Sequence, residues 1–250
     1  MKGGFSFRSF ICLFYLGLFL VFMLPAHISY VLTRKKDPIK SYERANKAVR
    51  KAFAKVLFMA GTRMTVVGKE NIPKDETVLF ASNHQSYFDI ISSHVAIGLP
   101  VGYVAKVEMD KFPLLRYYMR DIGCVFLDRK NPREGIKAIK EGAAHLEQGL
   151  DMFICPEGTR SKGDEMSSFK EGSLKMAEKA GVRVVPVAIV GTNRILECRP
   201  GFDIRKAKIC IAFGEPFDPK ALPEEYKRKS ALYAEEKVRE LMAAHPLESL

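Results

Sequence analysis

From residue 64 onward, short apolar runs alternate with stretches of helical character, and that alternation is the strongest constraint on the fold. The runs at 64–67, 78–82, 102–105, 124–127, 152–155, 184–189 and 208–213 predict strands. Continuous apolar runs of this length suit strands buried on both faces, as in a sheet covered by helices. The segments 89–97, 112–121, 132–148, 170–180 and 224–243 predict the helices between them. Together they describe an α/β fold: one domain over residues 61–250 with a mostly buried sheet of about seven strands flanked by helices. No internal repeat is visible, and no inner linker is long enough to mark a second globular domain.

The first sixty residues differ in kind. Residues 10–32 are nearly all apolar, interrupted by Pro25, His27, Ser29 and a few small residues. As one helix they would reach about 35 Å, enough for a hydrocarbon core of roughly 30 Å. A cleavable signal peptide is the competing reading, but no small-x-small cleavage site follows Leu24, and Arg34, Lys35 and Lys36 form a stop-like flank. Residues 1–33 therefore predict an N-terminal hydrophobic membrane anchor, with Pro25 leaving a kinked or re-entrant insertion open. Basic residues outnumber acidic ones nine to two between Arg34 and Lys55, within a chain of net charge +11. The positive-inside rule then turns the body of the chain toward the cytoplasm, at a cell inner membrane or plasma membrane. Segment 34–60 predicts a basic amphipathic interfacial helix. Its apolar face holds Tyr42, Ala45, Val49, Ala52, Phe53, Val56 and Leu57, and Arg44, Lys47, Lys51 and Lys55 are left for anionic lipid phosphates. The alternative is a surface helix packed on the domain. The clustered charge also argues against nucleic acid as a partner, since no helix-turn-helix, zinc finger or RNP-type strand accompanies it. Five scattered cysteines without a Cys-x-x-Cys pair match neither a disulfide framework nor a zinc site.

The chemistry concentrates at Asn83-His84-Gln85-Ser86-Tyr87-Phe88-Asp89. Histidine titrates close to neutrality, and a carboxylate on one ring nitrogen selects which nitrogen is free to take a proton. No Gly-x-Ser-x-Gly elbow supplies a protein nucleophile. The pair His84 and Asp89 thus reads as a base that activates a substrate hydroxyl, against the bland alternative of a structural histidine. A metal site through His84, Asp89 and His94 is disfavoured, because on one helix these positions step by about 140° each and share no face. For His84 and Asp89 to touch, the chain must bend between them.

Three more clusters stand where open α/β sheets place ligands, at strand ends. They are 123–129 (Gly-Cys-Val-Phe-Leu-Asp-Arg), 153–161 (with Pro-Glu-Gly-Thr-Arg-Ser at its end) and 184–189 (Val-Val-Pro-Val-Ala-Ile). A glycine lets backbone N–H groups approach an anion, and an arginine grips phosphate with paired hydrogen bonds. Glu157 is a candidate either to receive a substrate hydroxyl or to hold Arg160; a plain turn is the alternative for the whole segment.

In this order the four clusters resemble the motifs of the glycerolipid acyltransferases, over about residues 60–215, with the bacterial 1-acyl-sn-glycerol-3-phosphate (lysophosphatidic acid) acyltransferases as the nearest pattern. The resemblance implies His84 as general base and Asp89 as its orienting partner. It implies phosphate and glycerol binding by Arg129, Glu157, Gly158, Thr159 and Arg160, with Lys106 assisting and Pro186 near the acyl donor or supporting the sheet. It implies transfer of an acyl group from acyl-CoA or acyl-ACP, as co-substrate with no cofactor or metal, to the sn-2 hydroxyl of lysophosphatidic acid. It further implies an N-terminal helical pair docked on the membrane. Other lysolipids or glycerol 3-phosphate as acceptor, a thioester hydrolase, and a non-catalytic module on anionic membranes are the rival readings. One departure stands out: Cys155 occupies a position where the family often has Phe, which predicts a change in packing or acyl-chain fit more than in chemistry.

Overall fold

Successive strand residues point to opposite faces, and in this chain that periodicity builds two apolar cores on one sheet. The structure, a computed structural model, describes residues 4–247. Its strands are β1 (Arg63–Val67), β2 (Val78–Ser82), β3 (Val101–Lys106), β4 (Val125–Leu127), β5 (Asp151–Ile154), β6 (Arg183–Val190) and β7 (Lys208–Phe213). They form one seven-stranded sheet in the order β1-β7-β6-β2-β5-β3-β4. Only β6 and β7 pair antiparallel. Leu79 and Ala81 of β2 join Met152, Ile154 and Val184 on one face, beneath α6 (Pro132–Glu147), α7 (Lys175–Ala180) and α8 (Ser230–Ala244). Val78 and Phe80 join Phe153, Val185, Ile211 and Phe213 on the other. That face is covered by α3 (Pro38–Ala60) and α4 (Phe88–Ile97). α5 (Pro113–Asp121) flanks the β3–β4 end, with Tyr118 and Asp121 buried.

Helix ends account for the differences from the sequence pattern. The predicted helix 170–180 is regular only over α7, because Gly172 takes a left-handed φ of +81° and the chain turns there. Arg228 is left-handed as well (φ +63°), so α8 begins after it rather than near 224.

At the front, the apolar run 10–32, for which Pro25 left a kinked insertion open, forms two helices: α1 (Phe7–Phe22) and α2 (Leu24–Arg34), bent by 52°. Pro25 has no N–H to continue the α1 ladder but fits the first turn of a new helix, so the break falls just before it. Among the described residues no single helix is long and apolar enough to cross a membrane; the bent pair meets that test together, by length and composition. α1 exposes Phe7, Phe10, Phe14, Leu18, Val21 and Phe22, spaced at threes and fours, and α2 adds Ile28 and Leu32. The reading of α3 changes. Asp37 caps it, accepting from Lys40 N–H at 3.0 Å, and Gly61 ends it in the left-handed region. Its apolar stripe is nevertheless spent inside the protein: Ala45 and Val49 belong to the core under the sheet, and Val56, Leu57 and Ala60 pack with α1 and the chain around Ile195. The exposed side of α3 carries Arg44, Lys47, Lys51 and Lys55, with Phe58 beside them near its end.

Asp151 opens β5 and accepts the Val78 N–H at 2.9 Å, fastening β5 to the start of β2. Burial pushes its carboxyl up to about 7, with the Val78 N–H pulling the other way. A group raised above its unfolded value of 3.8 contributes stability that is full below that value and is lost as pH rises through about 7. Asp151→Asn keeps the acceptor oxygen and cannot ionise. Relative to wild type, it is expected to gain about 1 kcal/mol or more, roughly 2–4 °C in Tm, between pH 5 and pH 8. Parallel melting curves across that range would show that Asp151 does not carry this cost.

Candidate active site

The parallel strands β6, β2, β5, β3 and β4 all deliver their C-terminal ends to one edge, the edge at which such sheets bind ligands. In sheet order that edge receives Thr192, His84, the 155–160 segment, Lys106 and Arg129.

β2 is locked before the site begins. The Asn83 side chain donates to Ile189 O and accepts from Ile189 N–H, both at 2.8 Å, splicing the end of β2 onto β6. The chain then turns over 83–87 and enters α4, with Ser86 Oγ accepting the Phe88 N–H at 3.0 Å. Asp89 sits in the first turn, fully buried, where the helix dipole favours negative charge. Its Oδ2 accepts from Gln85 N–H at 2.6 Å, from Ser86 N–H at 2.9 Å and from His84 Nδ1 at 2.7 Å. Its Oδ1 accepts from the Thr192 hydroxyl. The bend that the spacing demanded is thus present, and Asp89 is what holds it. With Nδ1 committed to Asp89, Nε2 of the His84 ring is the nitrogen free to exchange a proton.

Glu157 does neither of the jobs its position suggested. It is buried, with Oε1 accepting the His84 N–H at 2.6 Å and Oε2 accepting the Ser167 N–H at 2.8 Å. Burial raises its pKa against those two N–H groups. It clamps the His84 backbone to the turn after β5, and Ser161 N–H donates to His84 O at 2.8 Å to complete the clamp. Gly158 is left-handed (φ +78°), and a Cβ there would meet the Lys170 amine at 2.8 Å, so the glycine gives Lys170 room to lie across the turn. Thr159 is exposed.

Arg160 is held instead by Glu197, a residue that carries no motif. The Arg160 Nη1–Glu197 Oε1 distance is 2.9 Å, and the guanidinium lies 3.5 Å from the Tyr87 ring centroid. The same Oε1 accepts the Tyr87 N–H at 3.0 Å, so one buried carboxylate ties Arg160 to the His84–Asp89 turn. Lys106 is exposed and ion-paired with Glu108 at 2.9 Å. Arg129 is exposed just beyond β4. Pro186 lies inside β6, opposite Ala81, and accepts the Gly214 N–H at 2.9 Å, a role in the sheet. His94 points away from the site into the core, against Asn46 O, Phe53 and Tyr103, and burial lowers its pKa to about 4.

Cys155, immediately after β5, is half-buried and packs against the apolar core that holds Phe80 and Phe153. Burial alone would lower the His84 pKa, but its neighbours, among them the Asp89 carboxylate that accepts from Nδ1, oppose it and carry it upward.

The acyltransferase family model matches residues 63–190, the segment that holds these clusters. The probable 1-acyl-sn-glycerol-3-phosphate acyltransferase of Mycoplasma pneumoniae is 33% identical over 174 residues, covering 65% of this chain and 65% of that protein. The chloroplastic 1-acyl-sn-glycerol-3-phosphate acyltransferase of Arabidopsis thaliana is 33% identical over 149 residues, or 59% of this chain, which spans only 42% of that longer protein. The crystal structure of the 1-acyl-sn-glycerophosphate (LPA) acyltransferase from Thermotoga maritima superposes with a TM-score of 0.71 at 31% identity, covering 95% of this chain and 97% of that one. With the family model spanning more than half of its length and a solved relative matching nearly all of it, the chain belongs to the acyltransferase family.

Proposed function

We propose that this chain transfers a fatty acyl group from acyl-CoA or acyl-ACP to the sn-2 hydroxyl of lysophosphatidic acid, giving phosphatidic acid. The observation that carries the reading is the His84–Asp89 pair, 2.7 Å apart, at a sheet edge that also gathers Arg160, Lys170, Lys106 and Arg129. His84 Nε2 takes the acceptor's hydroxyl proton as that oxygen attacks the acyl carbon, and the proton ends on the departing thiol. A thiol is far more acidic than an alcohol, so expulsion of the thiolate needs little help and deprotonation of the acceptor is the step that needs a base. The cations hold the acceptor's phosphate, Arg160 from a fixed position because Glu197 and Tyr87 fix its plane. Placing two substrates on one edge adds the larger share of the acceleration. The names of the relatives support phosphate-bearing lysolipid as acceptor.

The same reading places the protein on a membrane surface, through the apolar side of α1 and α2. Beside that side lies a hollow of about 800 Å³ whose walls include Ile28, Leu32, Lys35, Lys36, Asp37 and Lys40, a lining of apolar and mostly basic groups that suits an anionic lipid headgroup. The body of the chain then faces the cytoplasm.

His84→Ala is expected to lower phosphatidic acid formation by about 10²-fold or more, measured as lipid product with the intact protein in detergent; near-wild-type turnover would remove His84 as the base. Arg160→Ala should lose more activity with lysophosphatidic acid than with lysolipids that lack an exposed phosphate, and equal losses would count against a phosphate grip. Glu197→Ala frees Arg160 and should raise KM for lysophosphatidic acid about 3–10-fold with a smaller change in kcat, while Glu197→Gln, which keeps the acceptor oxygen, restores most of it. Loss of kcat alone, equal for all acceptors and unrelieved by Gln, would reduce Glu197 to a structural role.

A further inference from the structure

Acyl transfer brings two anions to one base, the phosphate of the acceptor and the carrier of the acyl group, and charges of one sign need separate berths. Lys106 ends β3 and Arg129 follows β4, both on one side of the strand that leads to His84. On the other side the sheet continues through β6 to β7. β7 runs antiparallel to β6, so it starts where β6 ends, and Lys208 opens it at the catalytic edge. Two strand spacings, about 10 Å, separate β7 from β2. Gly191, just past the end of β6, lies so close to Lys208 O that a Cβ would meet it at 2.9 Å, and the next residue, Thr192, donates to Asp89. Here the chain leaving β6 and the chain entering β7 enclose a hollow of about 390 Å³. Its walls carry five cations, Arg194, Arg199, Arg205, Lys206 and Lys208, and no acid. Arg205 is fixed through Nε, 2.8 Å from Asp203, which leaves its two Nη groups for a ligand. Arg194 reaches Asp164 only at 3.7 Å, and Arg199 and Lys206 make no ion pair among the described residues. The wall itself is tied down: Arg205 N–H donates to Ile195 O at 2.9 Å, and Ile204 N–H donates to Ser9 Oγ at 2.8 Å. Glu197 belongs to the same segment but turns inward to Arg160, which keeps its charge out of the hollow.

We propose that this hollow binds the nucleotide end of coenzyme A, its 3′-phosphate and pyrophosphate, while the pantetheine arm carries the thioester across the end of β6 to His84. This deepens the acyl-transfer reading and rests on it for the donor, an acyl thioester. A phosphate monoester carries about −1.5 to −2 charge at neutral pH and takes paired hydrogen bonds from a guanidinium. Three of the five cations are arginines, the side chain whose planar fork matches phosphate. The volume is that of a small-molecule site. Cations that converge in a hollow suit a compact polyphosphate. An acidic carrier protein presents carboxylates spread over a helix face, about 5–6 Å apart, and would call for a row of cations on an open surface. The segment 192–199 then works as a partition. Arg160, on its inner side, holds the acceptor's phosphate, and Arg194 and Arg199 face the donor's phosphates on its outer side. His84 stands between the two clusters, so the two anions do not compete for the same cations. No covalent step is added to the direct transfer: the acceptor oxygen bonds to the acyl carbon, the thioester S–C bond breaks, and coenzyme A leaves as free thiol.

The intact protein in detergent is assayed with lysophosphatidic acid and three donors: palmitoyl-CoA, palmitoyl-pantetheine, which lacks the nucleotide, and palmitoyl-ACP. The double variant Arg199→Gln, Lys206→Gln removes two exposed charges and keeps side chains of similar reach. It is expected to raise KM for palmitoyl-CoA by about tenfold or more, with KM for lysophosphatidic acid within about twofold of wild type. Turnover of palmitoyl-pantetheine should be the same in both proteins, which also shows that the variant is folded. Free adenosine 3′,5′-bisphosphate should compete with palmitoyl-CoA in wild type and do so more weakly in the variant. An unchanged KM for palmitoyl-CoA, or an equal loss with palmitoyl-pantetheine, overturns the proposal and leaves the acyl-transfer reading standing. A rise for palmitoyl-ACP as large as that for palmitoyl-CoA assigns the hollow to an acidic carrier protein and overturns the nucleotide, and so does wild-type activity with palmitoyl-ACP alone. Calorimetric titration with free coenzyme A separates this failure from that of the broader reading. Binding by wild type that weakens by about tenfold in the variant, with no phosphatidic acid formed from any donor, upholds the hollow and overturns the acceptor assignment instead.

Discussion

A carboxylate without solvent exposure has to be met by donors, and Asp89 is such a carboxylate. Left unpaired, a buried charge costs several kcal/mol, whereas hydrogen bonds to a charged group return about 1.5–3 kcal/mol each. Asp89 collects two backbone N–H groups, a threonine hydroxyl and an imidazole nitrogen, and so offsets its desolvation. Those four donors come from the turn after β2 and the chain after β6. Satisfying one charge therefore closes the turn, orients the His84 ring and ties β2's exit to β6's. The Asn83–Ile189 pair makes the same connection one residue earlier. Both oxygens of Asp89 are thereby engaged.

Glu157 and Glu197 extend the principle to the second loop. Glu157 answers the His84 and Ser167 N–H groups, and Glu197 answers the Tyr87 N–H and the Arg160 guanidinium. Both acids are buried, and both act on the geometry of other groups. Acidic residues in a site for an anionic substrate would ordinarily repel it. Here Glu157 is turned to two backbone N–H groups and Glu197 Oε1 to Arg160, so both acids face inward and the exposed cations of the edge face out.

The strands were legible in the sequence because a strand covered on both faces needs an unbroken apolar run, and each run became a strand within a few residues of its expected bounds. His84 and Asp89 were legible because chain spacing alone brings them to one turn. Glu197 and Thr192 were not. They lie in irregular segments between β6 and β7, where no periodicity marks a side chain, and their partners are about a hundred residues away or in another loop. The meeting of Glu157 with the His84 backbone depends on the register of β2 against β5, which only the folded sheet provides. Amphipathic spacing revealed a covered face on α3, but not whether protein or lipid covers it. Resolving that required the positions of α1 and α2.

Those two helices are tied down by a second buried acid. Asp121, at the end of α5, is fully buried and accepts from His27 Nδ1 and Arg34 Nη2 of α2, each at 2.6 Å. Tyr118 of the same helix donates to Leu20 O of α1 at 2.7 Å, and the Ser9 hydroxyl of α1 accepts the Ile204 N–H at 2.8 Å. An apolar hairpin held only by greasy contacts could slide against the body it decorates; one held by a desolvated carboxylate cannot do so without exposing that charge to an unpaired state. α5 in turn connects directly to β4, the strand that leads to Arg129. The proposed lipid contact and the cationic edge therefore belong to one stiff body.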